Sequence, residues 1–472
     1  MTSAVIIYLF GEHSSAGRGQ TSPNYFFIKY SFGGGNHMKR NLKKYLSLGL
    51  AAVMAASLIT GCGVATANGD TSATAATSSA STAASSDATA TSTAASGDAA
   101  AATSTAATSG DTVKIGVYEP ASGDNGAGGK QEMLGMQYAN SKTPTVDIGG
   151  KTYNVELVFA DNQSSTDKAV SAASTLVSSG VSVVLGSYGS GVSIAAQETF
   201  ANAGIPAIGV TCTNPQVTEG NTNYFRICFL DPFQGTILAN FAVDNFKAKT
   251  AYCLAKLGDD YSVGLCKYYQ KAFEALGGTV VFETFPEGNS DFTSYITNAK
   301  NANADVIFSP VSTEAAALII EQASSQGVTV PLMAGDTWDS NVITEAATGK
   351  NIDIYVTTFY QEGGNKDFDE GLKAYIDGDA TALQNNGGND MIAAVSAMGY
   401  DAYYVALEAL KNAGSTDPKA VNDALWKTTY DGVSGHIEFD QTNGDAVRDT
   451  AYVKKANTET GTWDFVAEQK AK

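Results

Sequence analysis

Histidine and cysteine are scarce in this 472-residue chain, which has three of the first and five of the second. His13 and His37 fall within the first 37 residues, so only His436 belongs to the later body. That leaves almost no scope for a histidine-based triad or a multi-histidine metal site. The cysteines are Cys62, Cys212, Cys228, Cys253 and Cys266, and no two are spaced C-x-x-C. The usual zinc and dithiol motifs are therefore absent. A Cys212–Cys228 pair stays open at this level, with buried free thiols the plainer reading. No G-x-S-x-G nucleophile elbow occurs. Lys130 precedes Gln131, and position 124 is Asp, so the glycine-rich stretch there is not a phosphate loop. Basic charge is short too: 29 Lys and Arg stand against 48 Asp and Glu, a net charge of −19. Such a chain offers nucleic-acid phosphates no basic surface. No metal, cofactor or enzymatic step is implied.

One short apolar run stands near the N-terminus. Lys39, Arg40, Lys43 and Lys44 follow Met38, and residues 45–61 are mostly apolar. A positive flank, a short apolar core and small residues before a cleavage point make an export signal. The run is too short and too rich in Ala, Gly and Ser for a membrane span. It ends Ile59-Thr60-Gly61-Cys62, which resembles the lipobox of bacterial lipoproteins. That resemblance implies a diacylglyceryl group on the Cys62 sulfur and cleavage before it. Two acyl chains anchor stably where one is marginal. Residues 1–37 fit no such plan. Gly33-Gly34-Gly35 would be encoded by a purine-rich tract just before Met38. Met38 is therefore the expected start, with 1–37 a mis-assigned extension and 38–61 the signal peptide.

Residues 63–110 are almost purely Ala, Ser, Thr, Gly and Asp, without an aromatic, Lys or Arg. They cannot bury enough apolar surface to offset ordering entropy. Cys62 and this linker, 62–111, are expected to form a tether with a reach of roughly 40 Å.

An ordered rhythm begins near Val113. Residues 114–118, 155–160, 181–186 and 205–210 are short β-rich runs, separated by helical stretches at 166–179 and 192–203. After residue 233 the rhythm returns. Strands are expected at 250–255, 279–285, 306–308 and 331–333, and helices at 261–276 and 315–325. A long helix over 391–411 follows, then another with Asp417 as N-cap and Pro418 at its first position. Two βα arrays in series imply an α/β protein with two doubly wound, Rossmann-like lobes. Lobe crossings are expected near residues 230–233, 359–363 and 440–443. The N-terminal lobe would comprise 112–231 and 362–440, and the C-terminal lobe 232–361 and 441–472. Ligands of such sheets sit beyond the carboxyl ends of the strands, so those loops are the places to search.

The loops carry Pro120-Ala121-Ser122-Gly123, Asp161-Asn162, Leu185-Gly186-Ser187-Tyr188-Gly189-Ser190, Thr211-Cys212-Thr213-Asn214-Pro215 and Gly335-Asp336-Thr337-Trp338-Asp339. Lys114-Ile115-Gly116-Val117 precedes them, and Gly399-Tyr400-Asp401-Ala402 comes later. In this order they resemble the branched-chain amino-acid (Leu/Ile/Val-type) binding proteins of ABC transporters, of the type I periplasmic-binding fold, over about residues 112–455. The resemblance implies three hinge crossings and a cleft for an amino-acid zwitterion. It places Ser190 and Thr213 on the ligand carboxylate and the Thr211 carbonyl on the ammonium. Asp336 becomes the acidic counter-charge, and Tyr261 an aromatic that closes over the ligand. Ser312 stands at another contact position, where the family's usual aromatic is missing.

Chemistry supports this set independently. Ser190 stands beside a helix start, where backbone N–H groups favour an anion, and a carboxylate such as Asp336 suits an ammonium. Each residue also has a structural alternative: a helix cap for Ser190, a turn for Thr213 and Asp336, lobe packing for Tyr261. Trp338 fits a pocket wall or a core equally. Gly123, Gly126, Gly128 and Gly129 are expected to form turns beside the side-chain pocket. The implied partners are an amino acid and an ABC permease, with membrane contact through the lipid and no nucleic acid. The expected state is an extracytoplasmic monomer on the outer face of the cytoplasmic membrane. The competing readings are a receptor for an amide, urea or aromatic acid, and a sensory ligand-binding protein.

Overall fold

The structure, a computed structural model, describes residues 110–470. The expectations for 1–37, 38–61, Cys62 and the linker up to residue 109 lie outside the described residues. The first array runs β1 (Thr112–Glu119), α1 (Gly126–Lys142), β2 (Thr145–Ile148), β3 (Lys151–Asp161), α2 (Thr166–Ser179), β4 (Val183–Leu185), α3 (Ser190–Ala203), β5 (Ala207–Gly209) and β6 (Tyr224–Arg226). The second runs α4 (Asp231–Phe246), β7 (Thr250–Lys256), α5 (Asp260–Ala275), β8 (Thr279–Phe285), α6 (Thr293–Asn301), β9 (Val306–Phe308), α7 (Thr313–Ser325), β10 (Leu332–Ala334), α8 (Asn341–Ala347) and β11 (Ile354–Thr358). Helices α9 (Lys366–Asp377), α10 (Ala380–Asn385), α11 (Ala394–Ala413) and α12 (Pro418–Leu425) follow. Last come the hairpin of β12 (Thr429–Gly432) with β13 (Gly435–Glu438), then β14 (Thr450–Asn457) and β15 (Thr462–Lys470).

One sheet has the order β2-β3-β1-β4-β5-β6 and the other β15-β14-β11-β10-β9-β7-β8. Within each, five parallel strands repeat one winding: β3-β1-β4-β5-β6 and β8-β7-β9-β10-β11. The direction of winding reverses between β1 and β4, and between β7 and β9. Those switch points open the crevices in which such sheets hold ligands. The sheets are mixed, however: β2 is antiparallel to β3, and β14 is antiparallel to β11 and β15.

Local rules explain the helices that the sequence makes visible. Helix α2 buries Ala169, Ala172, Ala173 and Leu176 and ends at Gly180, where φ is 71°. The Asp417 side chain accepts from Ala420 N, and Pro418 opens α12. Helix α11 is buried along most of its length and crosses α1 closely. Its residues join Phe368, Leu372, Ile376, Val421 and Leu425 in one core with Val113, Ile115 and Val183 of the first sheet. Residues 366–425 thus return to the first lobe.

The glycine-rich segment differs from expectation. Only Gly123 is a turn residue with positive φ, at 79°; Gly126, Gly128 and Gly129 lie inside the first turn of α1. Glycine is a poor helix former, but here tertiary contact decides. A Cβ at Gly129 would lie 2.1 Å from Pro120 O.

The chain passes between the sheets three times, at residues 227–230, 359–365 and 447–449. Rings of Phe229 and Phe359, on the first two crossings, pack with centroids 4.3 Å apart. The third crossing lies beyond residues 440–443, where the sequence suggests it. Residues 440–446 instead fold back onto the first sheet. Arg226 N donates to Gly444 O, and Ala446 N donates to Arg226 O.

Arg226 itself is fully buried. Its guanidinium donates to Asp445 Oδ1 at 2.6 and 2.9 Å, to Cys212 O at 2.9 Å, to Asn214 O at 2.5 Å and to Thr218 Oγ1 at 3.0 Å. Removing one partner of a buried pair strands the other charge. Asp445→Ala is expected to lower the unfolding free energy by about 3–5 kcal/mol, measured by denaturant titration. A loss comparable with a surface mutation would show that Arg226 does not depend on Asp445.

Candidate functional site

The loops at both switch points meet in a cleft between the lobes. A cavity of about 70 Å³ is lined from the first lobe by Pro120, Asp124, Tyr188 and Ser190, and from the second by Lys256, Tyr261, Ser312 and Thr337. The lobes touch directly around it. Lys256 Nζ lies 2.8 Å from Asp124 Oδ2, and Tyr188 OH donates to Thr337 O at 2.9 Å. Thr313 Oγ1 donates to Asp124 O at 3.2 Å, and Asn214 Nδ2 to Asp260 O at 2.8 Å. A roomier hollow of about 540 Å³ lies at the crossings, beside Phe229, Phe359 and Arg448, and holds none of the residues expected from sequence. The partly buried Arg448 guanidinium there already donates to Ile227 O, Ser434 O and Ser434 Oγ.

Ser190, Tyr261 and Ser312 share the cleft cavity. Ser190 opens α3 but does not cap it: the N-cap is Gly189, and Ser190 Oγ accepts from Asn214 N at 3.2 Å. Ser312 does cap a helix, accepting from Ala315 N at the start of α7. Tyr261 OH donates to Asp336 Oδ1 at 3.1 Å, and Gln234 Nε2 donates to the same oxygen at 2.6 Å. Asp336 is only 3% exposed. Trp338 belongs to the core, with its indole N–H on Val311 O.

Thr211 and Thr213 do not line that cavity; both are buried in the loop after β5. Thr211 Oγ1 donates to Glu132 Oε2 at 2.5 Å. Thr213 Oγ1 has no hydrogen-bond partner, while its carbonyl accepts from Asp231 N at 3.0 Å. Arg226 holds the same loop through the carbonyls of Cys212 and Asn214. Cys212, Cys228, Cys253 and Cys266 are buried free thiols.

Four buried polar residues near the cleft escaped the sequence reading. Glu119 and Glu132 face each other, Asp231 begins α4, and Gln234 lies one turn further on. Only the Asp231-Pro232 pair, a helix-start signal, hinted at any of them. A carboxylate on a helix such as α1 reads as solvent-facing until the partner helix is known. Asp336 rests on a further buried pair. Neighbouring Asp339 accepts from Lys454 Nζ at 2.9 Å and Thr358 Oγ1 at 2.5 Å, which ties its loop to β14 and β11.

The site is short of donors. Glu119 Oε1, Glu132 Oε1, Gln234 Oε1 and both Asp231 oxygens are buried without a hydrogen bond. Burial raises the Glu119 carboxyl well above its ordinary range, and the neighbouring Glu132 raises it further. One proton shared by the two carboxyls supplies a missing donor. Burial pushes Asp336 up to about 7, against the bonds from Gln234 and Tyr261. It pushes Asp231 up to about 8; the nearby Thr213 hydroxyl opposes this without completing a well-formed bond. Folded-state values above the unfolded ones mean that the native state binds the extra protons. The stability they add is complete below the unfolded carboxylate range and is lost as pH rises. The melting temperature of the ligand-free protein should therefore fall between about pH 5 and about pH 8. Asp231→Asn should flatten that decline, and an unchanged slope would assign it to other groups.

The periplasmic binding protein family profile matches residues 112–460. A Leu/Ile/Val-binding protein homologue from Brucella suis is 30% identical over 335 residues, covering 70% of this chain and 86% of the relative. The leucine-binding protein LivK of Thermotoga maritima superposes with a TM-score of 0.66 at 32% identity, covering 76% of this chain and 99% of that one. The branched-chain amino-acid binding protein LivJ of Streptococcus pneumoniae, solved with isoleucine, gives a TM-score of 0.66 at 28% identity, with 76% and 99% covered. With this profile match and two doubly wound lobes meeting at a polar cleft, the chain belongs to the periplasmic binding proteins of ABC transporters.

Proposed function

We propose that this protein captures an amino acid, branched-chain or otherwise small and aliphatic, between its lobes and delivers it to the permease of an ABC importer. The carrying observation is the donor-poor cradle around Asp336. A buried carboxylate near uncompensated acceptors calls for a ligand that brings N–H donors and a positive charge. An α-ammonium supplies both. In this reading Asp336 pairs with the ammonium, the Thr211 carbonyl accepts from it, and Tyr261 closes over it. Ser190, Thr213 and the N-terminal turn of α3 receive the carboxylate. Ser312 contributes to the wall. Each charge-assisted bond contributes about 1.5–3 kcal/mol, so three or four suffice for a micromolar site of roughly −8 kcal/mol.

The three crossings form the hinge, and the Asp124–Lys256 and Tyr188–Thr337 contacts hold the closed form that a permease reads. The protein acts as a monomer and performs no chemistry on its ligand. An amide, urea or aromatic acid brings no ammonium and would leave Asp336 without its partner.

Asp336→Ala is expected to weaken binding of the preferred amino acid at least about tenfold, or ~1.4 kcal/mol, by calorimetric titration. Wild-type affinity should fall as pH drops below about 7, because Asp336 must be ionised to hold an ammonium. Unchanged affinity in the variant would reduce Asp336 to a structural part.

The N-terminal segment gives the receptor its place. In this reading translation starts at Met38, residues 38–61 are removed, and lipidated Cys62 anchors the body through the 62–111 tether on the outer face of the cytoplasmic membrane. Mass spectrometry of the native protein should find an acylated N-terminal Cys62 and no peptide from residues 1–37. Cys62→Ser should shift the protein from the membrane to the soluble fraction. Retention of that variant on membranes would remove the anchor from the account.

A further inference from the structure

The motif around Asp336 stops just short of a second junction between the lobes. Ser340 caps α8 of the second lobe, and Asn341 opens it. Facing them from the first lobe are Gln131 on α1 and the turn between α10 and α11. Ser340 Oγ donates to Gln131 Oε1 at 2.9 Å. Asn341 Nδ2 donates to Asn386 O at 2.5 Å and to Asn389 Oδ1 at 2.7 Å. Gln131, Ser340, Asn341 and Asn386 are each no more than 2% exposed. None of them lines the cleft cavity that Ser190 and Tyr261 share.

The first-lobe half of this junction is held by bonds within its own lobe. Gln131 O accepts from Ser396 Oγ at 2.7 Å, and Gln131 Nε2 donates to Asn386 Oδ1 at 3.3 Å. Asn386 Nδ2 donates to Asn389 O at 2.7 Å and to Met391 O at 2.9 Å. The turn passes through Gly387, where φ is 73°, and a Cβ there would lie 3.2 Å from Asn341 Cβ. Glycine thus serves both the turn and the approach of Asn341. A seat fixed in this way needs little further ordering when the lobes meet. The bonding groups are uncharged, so neither salt nor pH weakens them. The Asp124–Lys256 contact is of another kind. Its carboxylate side chain is 39% exposed, and Lys256 Nζ also lies 2.7 Å from Glu287 Oε2 of its own lobe. Such exposed pairs contribute little, and Lys256 keeps a partner when the lobes part.

We infer that Gln131, Ser340, Asn341 and the turn of Asn386 and Asn389 form a latch that sets how readily the lobes close, and that this latch scales the affinity for every ligand alike. This rests on the amino-acid receptor reading and deepens it. The bonds across the junction exist only while the lobes are together. They favour the closed form by the same amount whatever the cleft holds, because they touch no ligand. Apparent affinity follows the fraction of the protein that is competent to bind, and a ligand leaves only after the latch parts. Gln131 also stands next to Glu132, which holds Thr211, so one turn of α1 carries both the latch and a support of the ligand loop.

Asn341→Asp tests this, since it keeps the shape of the side chain and turns its donor into an oxygen that faces two amide oxygens. The purified full-length variant is titrated calorimetrically with leucine, isoleucine, valine and alanine. Each amino acid that wild type binds should weaken by one common factor of at least about fivefold. Their ranking should stay the same, and stopped-flow dissociation rates should rise by a similar factor. Ser340→Ala removes a single bond and should act in the same direction, which keeps the test decisive if the first variant does not fold. Hydrogen exchange of the ligand-free protein supplies a readout that needs no ligand. Glu314 N donates to Asp124 O at 3.3 Å between the lobes, outside the latch, and its segment should exchange faster in the variant. A merely structural role confines faster exchange to the surroundings of Asn341 and Asn386 and leaves affinities unchanged. That result, or losses that differ from one ligand to the next, would overturn the latch and leave the receptor reading intact. Wild-type protein that binds none of the four amino acids would overturn the receptor reading, and exchange at Glu314 would then decide the latch by itself.

Discussion

A buried guanidinium organises the cleft-facing side of the first lobe. Arg226 ends β6, the last strand of its sheet, and reaches the returning chain at Asp445 and the loop carrying Thr211 and Thr213. Burying a charge is costly unless it is paired and fully hydrogen-bonded. Here five bonds meet that condition, and each fixes a different piece of backbone or side chain. The same residue pairs through its main chain with Gly444 and Ala446, so the third crossing leaves from a held position. The loop and the crossing are thus set by one side chain.

The second lobe repeats the device with different residues. Lys454 and Asp339 form a buried pair, and Asp339 stands three residues after Asp336. The first lobe presents a helix start and hydroxyls; the second presents a carboxyl with its phenol and amide donors. In the proposed reading, a zwitterion has one end for each.

Much of the scaffold is legible in the sequence because its signals are local. The β8 run, the α2 stripe and the Asp417-Pro418 start of α12 depend on neighbouring residues, and the structure has them where the patterns indicate. The antiparallel strands β14 and β15 carry no comparable signal: they exist because β11 offers an edge from a distant part of the chain. Glycines at the start of α1 read as turns because propensity says so, and become helix because Pro120 and Tyr188 press against them. The site divides in the same way. Ser190, Tyr261 and Asp336 stand at strand ends whose order in the chain can be read. Glu132, Asp231 and Gln234 are ordinary polar residues on helices until two other elements bury them. Tyr188 stands within the Leu185–Ser190 motif, yet its reach to Thr337 depends on how the lobes meet.

The buried Lys454–Asp339 pair also has a mechanical side. Strand β14 begins directly after the third crossing, pairs with β11 and carries the exposed edge strand β15. Through that ion pair the loop of Asp336 is fastened to the same strand. Any rotation about the three crossings must carry the loop, β14 and β15 as one stiff lever, with its fulcrum at residues 447–449. In the proposed closure, a small angular change about those crossings becomes a larger displacement at the far end of the β14–β15 hairpin, and the length of those strands fixes the gain.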